Sequence, residues 1–124
     1  MEKLVNQIYY TISEFLPKKF NNAYFYAQVS SNNSVSLKFF VKEKHKIIDC
    51  YQLENVNRNN LILTLGKLSK EILNFRKNSE SKSDWTLLTI IFEKDLSFNL
   101  YFDYDNYDEK LISFELDWKK KYLK

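Results

Sequence analysis

From Leu96 to Asp105 the chain alternates without a break. Leu96, Phe98, Leu100, Phe102 and Tyr104 fall on one side of an extended backbone, and Ser97, Asn99, Tyr101, Asp103 and Asp105 on the other. A period of two marks a strand with one face against a core, because successive side chains leave a pleated strand in opposite directions. One such strand commits the chain to a sheet, since its amides and carbonyls need partners. Those partners are legible by the same rule. Residues 22–30 alternate Ala23, Phe25, Ala27 and Val29 against Tyr24, Tyr26 and Gln28, and a half-buried strand is predicted there. Ser30-Ser31-Asn32-Asn33-Ser34 is turn chemistry, because these short polar side chains bond their own backbone. Val35, Leu37, Phe39 and Val41 then point inward, with Ser36, Lys38 and Lys42 outward. Lys44-His45-Lys46 turns the chain into a short strand, Ile47–Tyr51. Trp85–Glu93 is apolar on both faces, as befits the middle of a sheet, and Glu93-Lys94-Asp95 turns it into the strand at 96–105.

Three segments change period. Leu4, Ile8, Ile12 and Phe15/Leu16 form one helical stripe that ends at Pro17, since the residue before a proline avoids the helical region. Residues 55–77 carry Leu61, Leu65, Leu68, Ile72 and Phe75 on one stripe, with Asn55, Asn57, Asn59 and Asn60 all candidate caps. Gly66 sits inside this helix, where it costs up to ~1 kcal/mol against alanine, either as drift or to admit another backbone. Asn78–Asp84 reads as a polar loop open to nicking. Asp105-Asn106-Tyr107-Asp108 supplies a turn and cap for a last helix with Leu111, Phe114/Glu115, Trp118 and Tyr122 near one stripe, and its terminal lysines complement the helix dipole. The order α-β-β-β-α-β-β-α predicts an α+β fold, a single domain over 1–124 with a mostly antiparallel sheet packed with helices. Helices are expected on one face, with the other partly wet.

Composition removes most enzyme classes. The chain has 124 residues and a single glycine, so no glycine-rich phosphate loop is available. Its single cysteine and single histidine assemble neither a disulfide framework nor a zinc site. Cys50 and His45 lie five apart around a short strand, whereas a catalytic pair is usually assembled from distant elements, so the cysteine reads as core and the histidine as surface. Asp-Tyr-Asp-Asn-Tyr-Asp-Glu at 103–109 imitates the start of a calcium loop but lacks the glycine such a loop requires. Neither catalysis, cofactor nor metal is expected. The N-terminal residues lack the apolar core of a signal peptide, and no apolar run approaches the ~20 residues that span a bilayer, so a cytoplasmic protein is expected.

Charge is distributed unevenly. The net charge is +3, yet residues 93–117 hold eight carboxylates against Lys94 and Lys110. Such a local potential steers association whatever the total charge. Tyr101 shares its strand face with Asp103 and Asp105, and tyrosine beside carboxylates suits a protein interface, the ring anchoring and the charges orienting. Trp85, Tyr101, Asp103, Asp105, Asp108 and Glu109 are therefore the candidate partner-binding residues. The alternative is a small nucleic-acid-binding module using the lysine-rich strand surface of Lys38, Lys42, Lys44 and Lys46 with Phe40. Only two of the basic residues are arginine, the better reader of bases and phosphates.

Several segments together resemble one family. Met1-Glu2-Lys3-Leu4 opens a helix that ends at a proline, and Ala23-Tyr24-Phe25-Tyr26-Ala27 makes a tyrosine-rich first strand. Trp85-Thr86, the strand from Phe98 ending Asp103-Tyr104-Asp105, and the closing Trp118-Lys119-Lys120-Lys121-Tyr122-Leu123 follow in the same order. This collinear set resembles the YezG/EsaG-like immunity proteins over essentially the whole chain. The resemblance implies a small α+β antitoxin that binds and neutralises a toxin, often a nuclease, exported by the type VII secretion system of Gram-positive bacteria. It implies a protein partner and no catalysis.

Overall fold

A computed structural model describes residues 2–54, 56–78, 85–109 and 111–123, with the backbone alone at 111 and 112. Of the expected features, Asn55, the loop residues 79–84 and the Leu111 side chain lie outside the described set. Helix α1 (Glu2–Ser13) buries Leu4, Val5, Ile8 and Ile12. It tightens at its end, where the Phe15 amide donates to the Ile12 carbonyl (2.9 Å) and the Leu16 amide to that of Ser13 (3.2 Å), before Pro17 forbids further helix.

Strands β1 (Asn22–Val29) and β2 (Val35–Glu43) form a hairpin whose loop needs Asn33 at a φ of 63°. Asparagine tolerates that left-handed geometry. Lys44, at φ 55°, turns β2 into β3 (Lys46–Asp49), and its amide donates to the Asn21 side chain (2.8 Å). The expected strand over Ile47–Tyr51 stops at Asp49, because the Asp49 carboxylate accepts from the Tyr51 amide (2.9 Å) and caps a 3-10 turn over Cys50–Gln52.

Helix α2 (Arg58–Asn78) begins three residues later than its period suggested. Asn57 is the cap: its side chain accepts from the Asn60 amide (3.0 Å) and its carbonyl from that of Leu61 (2.9 Å). Leu61, Leu65, Leu68 and Ile72 are buried. A methyl group placed on Gly66 would meet nothing within 4 Å, so no neighbouring backbone requires that glycine.

Strand β4 (Leu87–Glu93) and strand β5 (Phe98–Asp103) complete a five-stranded antiparallel sheet in the order β3-β2-β1-β4-β5. Helix α3 (Leu111–Tyr122) follows. The architecture is the α+β fold expected, with one correction. Helices cover both sheet faces. The larger core joins α1 and α2 to Ala23, Phe25, Ala27, Phe39, Val41, Leu88 and Ile90. On the opposite face Tyr24, Tyr26, Phe40 and Leu87 pack against Phe114 and Trp118 of α3. Tyrosine and glutamine on alternate positions of β1 read as a wet face, but their rings carry enough apolar area to bury. The Tyr26 hydroxyl donates to Glu115 (3.1 Å), whereas the buried Gln28 side-chain nitrogen has no hydrogen-bond partner among the described residues.

Strand β5 brings a second correction. Its alternation has the expected phase, but of the five residues expected inward Leu100 alone is half-buried against the core, and the exposed Phe102 touches it through the buried Trp85. Leu96 and Tyr104 are each 63% exposed, Phe98 37% and Phe102 36%. The reason is position. β5 is the last strand, outside the ground held by α2 over β2 and by α1, whose Tyr9 stacks on Phe92 of β4 (5.1 Å).

Candidate functional site

The acidic segment after β5 is a built loop. Thr86 enters it from the start of β4, its amide donating to the Asp103 carbonyl (2.8 Å) and its hydroxyl to those of Asp103 (3.2 Å) and Asp105 (2.5 Å). The Asp103 carboxylate accepts from the Asp105 amide (2.9 Å) and from the Tyr107 hydroxyl. Burial by itself would raise that carboxyl. The Tyr107 hydroxyl, the amides of Asp105 and Tyr104, and the charge of Lys121 outweigh it and hold the group below the ordinary carboxylate value. The same contact, after burial, drives the Tyr107 hydroxyl well above the usual tyrosine value. Asp108 reaches across to the β1–β2 loop, where it accepts from the Ser31 amide (3.2 Å) and hydroxyl.

The six candidate residues therefore divide. Asp103 and Asp108 are half-buried and hold the loop, whereas Asp105 and Glu109 are exposed. Tyr101 is 43% exposed and stacks on Tyr122 of α3 (5.4 Å), as Tyr107 stacks on Phe114 (5.0 Å). Trp85 is elsewhere. It is 2% exposed, lies in the core on the α1–α2 side of the sheet and stacks on Phe102 (5.9 Å). Arg76 holds it, with the guanidinium 5.5 Å from the ring and Nε donating to the Trp85 carbonyl (2.9 Å). Trp85 thus supports Phe102 from beneath, while Tyr101 and Asp103 occupy the other face.

Sequence reasoning missed Phe98, Phe102, Tyr104 and Leu96 as surface residues. An alternating strand gives no sign of being the last in its sheet. Leu96 lies in the turn before β5 at a φ of 73°, a geometry that disfavours any side chain with a Cβ and that its leucine does not announce.

The lysine surface is altered by α3. Lys38 is gripped between Asp49 (2.6 Å) and Glu115 (3.2 Å), and Phe40 is buried 5.5 Å from Trp118, so that ring is covered against stacking with a base. Cys50 is fully buried, its thiol pushed up to about 12 mainly by burial, and His45 is exposed in a turn. Among the described residues no cluster of three or more His, Cys, Asp or Glu is arranged to hold a metal ion. Nor, among them, is any helix long and apolar enough to cross a membrane.

Fold and surface define a small α+β protein whose outward chemistry, aromatic and acidic, lies on one sheet edge and the loop beyond it. Over residues 1–124 the chain matches the family described as immunity protein YezG-like, and it belongs to that family. No curated protein matches the chain.

Proposed function

We propose that this protein is an antitoxin that neutralises a cognate toxin by direct binding in the cytoplasm of the producing cell, with no catalytic step. The toxin is a nuclease exported by a type VII secretion system. The observation that carries the reading is the match to an immunity-protein family across all 124 residues. Charge supports the choice of nuclease. A nuclease must present cations to phosphates, and eight carboxylates against two lysines over residues 93–117 form a complementary field. Tyr101, Asp103, Asp105, Asp108 and Glu109 make up the binding face in this reading; Trp85, buried on the other side of the sheet, is not part of it.

The test is co-expression with the C-terminal domain of candidate exported nucleases, reading survival and co-purification together. Rescue with a stable complex is the expected result for the cognate toxin. Failure across a full panel, with RNA or DNA retained on the purified chain, would overturn the reading in favour of nucleic-acid binding.

A further inference from the structure

The sheet ends on β5, and that edge is open. Along an antiparallel pair, residues alternate between those whose N–H and C=O face the partner strand and those whose groups face away. The Glu93 amide donates to the Ser97 carbonyl (2.8 Å), and the same frame continues through the pairs Ile91 with Asn99, Thr89 with Tyr101 and Leu87 with Asp103. Asn99, Tyr101 and Asp103 therefore turn their main-chain groups to β4. Phe98, Leu100 and Phe102 turn theirs outward, where no further strand follows among the described residues.

The two edges of the sheet differ. β3 is four residues long, begins at a lysine after a Lys44-His45 turn and runs straight into a 3-10 turn. Short length and lysines are what discourage strand addition. β5 has six residues with neither lysine nor proline, and partly exposed aromatic rings on both of its faces, Phe98 and Phe102 on one and Tyr101 on the other. Carboxylates stand at both ends: Asp95 before it, and Asp103, Asp105, Asp108 and Glu109 at and after its end.

We propose that β5 is the edge on which the toxin docks, an extended cationic segment of the toxin pairing with the outward main-chain groups of Phe98, Leu100 and Phe102 as a sixth strand. This rests on the antitoxin reading and specifies its contact. Main-chain bonds give such an addition its affinity, and alternate side chains of the incoming strand cover the rings on either face. Charge selects the occupant. A second copy would bring its own acidic stretch alongside this one, whereas a lysine- or arginine-bearing strand meets carboxylates at both ends.

The experiment is amide hydrogen exchange on the isotope-labelled chain, free and bound to the catalytically inactivated nuclease domain with which it co-purifies. The Phe98, Leu100 and Phe102 amides are expected to exchange rapidly in the free chain and at least about ten-fold more slowly in the complex, while Asn99 and Tyr101 stay slow in both. A variant pair gives a second reading. Phe102→Pro removes one outward N–H at a position where an edge tolerates proline, and Phe102→Ala removes only the ring. The proline variant, folded by circular dichroism, is expected to bind about ten-fold more weakly than the alanine variant. A complex whose three outward amides keep their free exchange rate overturns strand addition and leaves the antitoxin reading standing. Slow exchange in the free chain that deepens with concentration gives the edge to a second copy and overturns it too. Absence of any complex with the unaltered chain overturns both.

Discussion

The Asp103 carboxylate takes a hydroxyl and an amide from its own loop, so its charge is fixed in place by Tyr107 and Asp105 before any partner arrives. Its folded value lies below the ordinary 3.8. A depressed carboxyl adds stability that is complete above its unfolded value and lost as pH falls through the folded one, so the loop weakens only below about pH 4. Replacing Tyr107 by Phe removes one of the stabilising donors. The Asp103 carboxyl is then expected to titrate closer to 3.8, as read by carboxyl-carbon NMR. Gly66 behaves in the opposite sense to a needed residue. With nothing within 4 Å of its missing methyl and an exposed helical setting, Gly66→Ala is expected to raise unfolding stability by about 0.5–1 kcal/mol in a urea titration. At this scale the sequence identified the acidic residues but not their division of labour. Nothing in the spacing of Asp103, Asp105, Asp108 and Glu109 separates the two that hold the loop from the two that face water, because Ser31 and Thr86, which complete it, lie far away in the chain.

Among the elements, α3 carries the greatest difference between expectation and outcome. Its stripe of Phe114, Trp118 and Tyr122 was legible, but not the surface it would cover. That surface is made of tyrosines at alternate positions of β1, which by pattern alone belong to water. Trp118 settles the matter, with its ring 4.9 Å from Tyr26 and its Nε1 donating to the fully buried Thr89 hydroxyl (2.9 Å). Trp118→Phe keeps most of the ring and strands the Thr89 hydroxyl, a loss of about 1–3 kcal/mol. Trp118→Ala adds a cavity and is expected to cost about 3–5 kcal/mol. Chemical denaturation of both variants checks the order. A loss under 1 kcal/mol for the alanine variant would show that α3 lies outside the cooperative unit. For β5 the phase was legible in the alternation but not the depth, since burial depends on where the helices end, a property of the assembled layers.

At the scale of the whole molecule, charge and topology act together. Asp103, Asp105, Asp108 and Glu109 sit at the end of the last strand and in the loop after it, while residues 1–82 carry thirteen Lys and Arg against seven Asp and Glu. Attraction between such a face and a cationic partner acts mainly on the association rate and is screened over about 8 Å at physiological salt. Reversing the two exposed carboxylates, Asp105→Lys with Glu109→Lys, is expected to slow toxin association by about ten-fold at low salt. The difference should shrink as salt rises, with the dissociation rate little changed, in surface plasmon resonance at several ionic strengths. The fold class itself was legible because periods of two and 3.6 alternate cleanly along the chain. The sheet order was not, because the pairing of β1 with β4 joins residues as far apart as Asn22 and Glu93.

That long pairing governs when the protein becomes competent. Synthesis delivers β1 and β2 early, but the other side of β1 stays open until β4 arrives, after an interval of 57 residues between Val29 and Leu87. At about 5–20 residues per second this lasts roughly 3–12 s, during which Tyr24, Phe25 and Tyr26 lie along an unfinished edge, exposed to aggregation and to chaperones. The acidic strand and loop are made later still. On the antitoxin reading proposed above, a nascent copy would offer no protection against a toxin domain completed in the same seconds, and protection would rest on copies already folded.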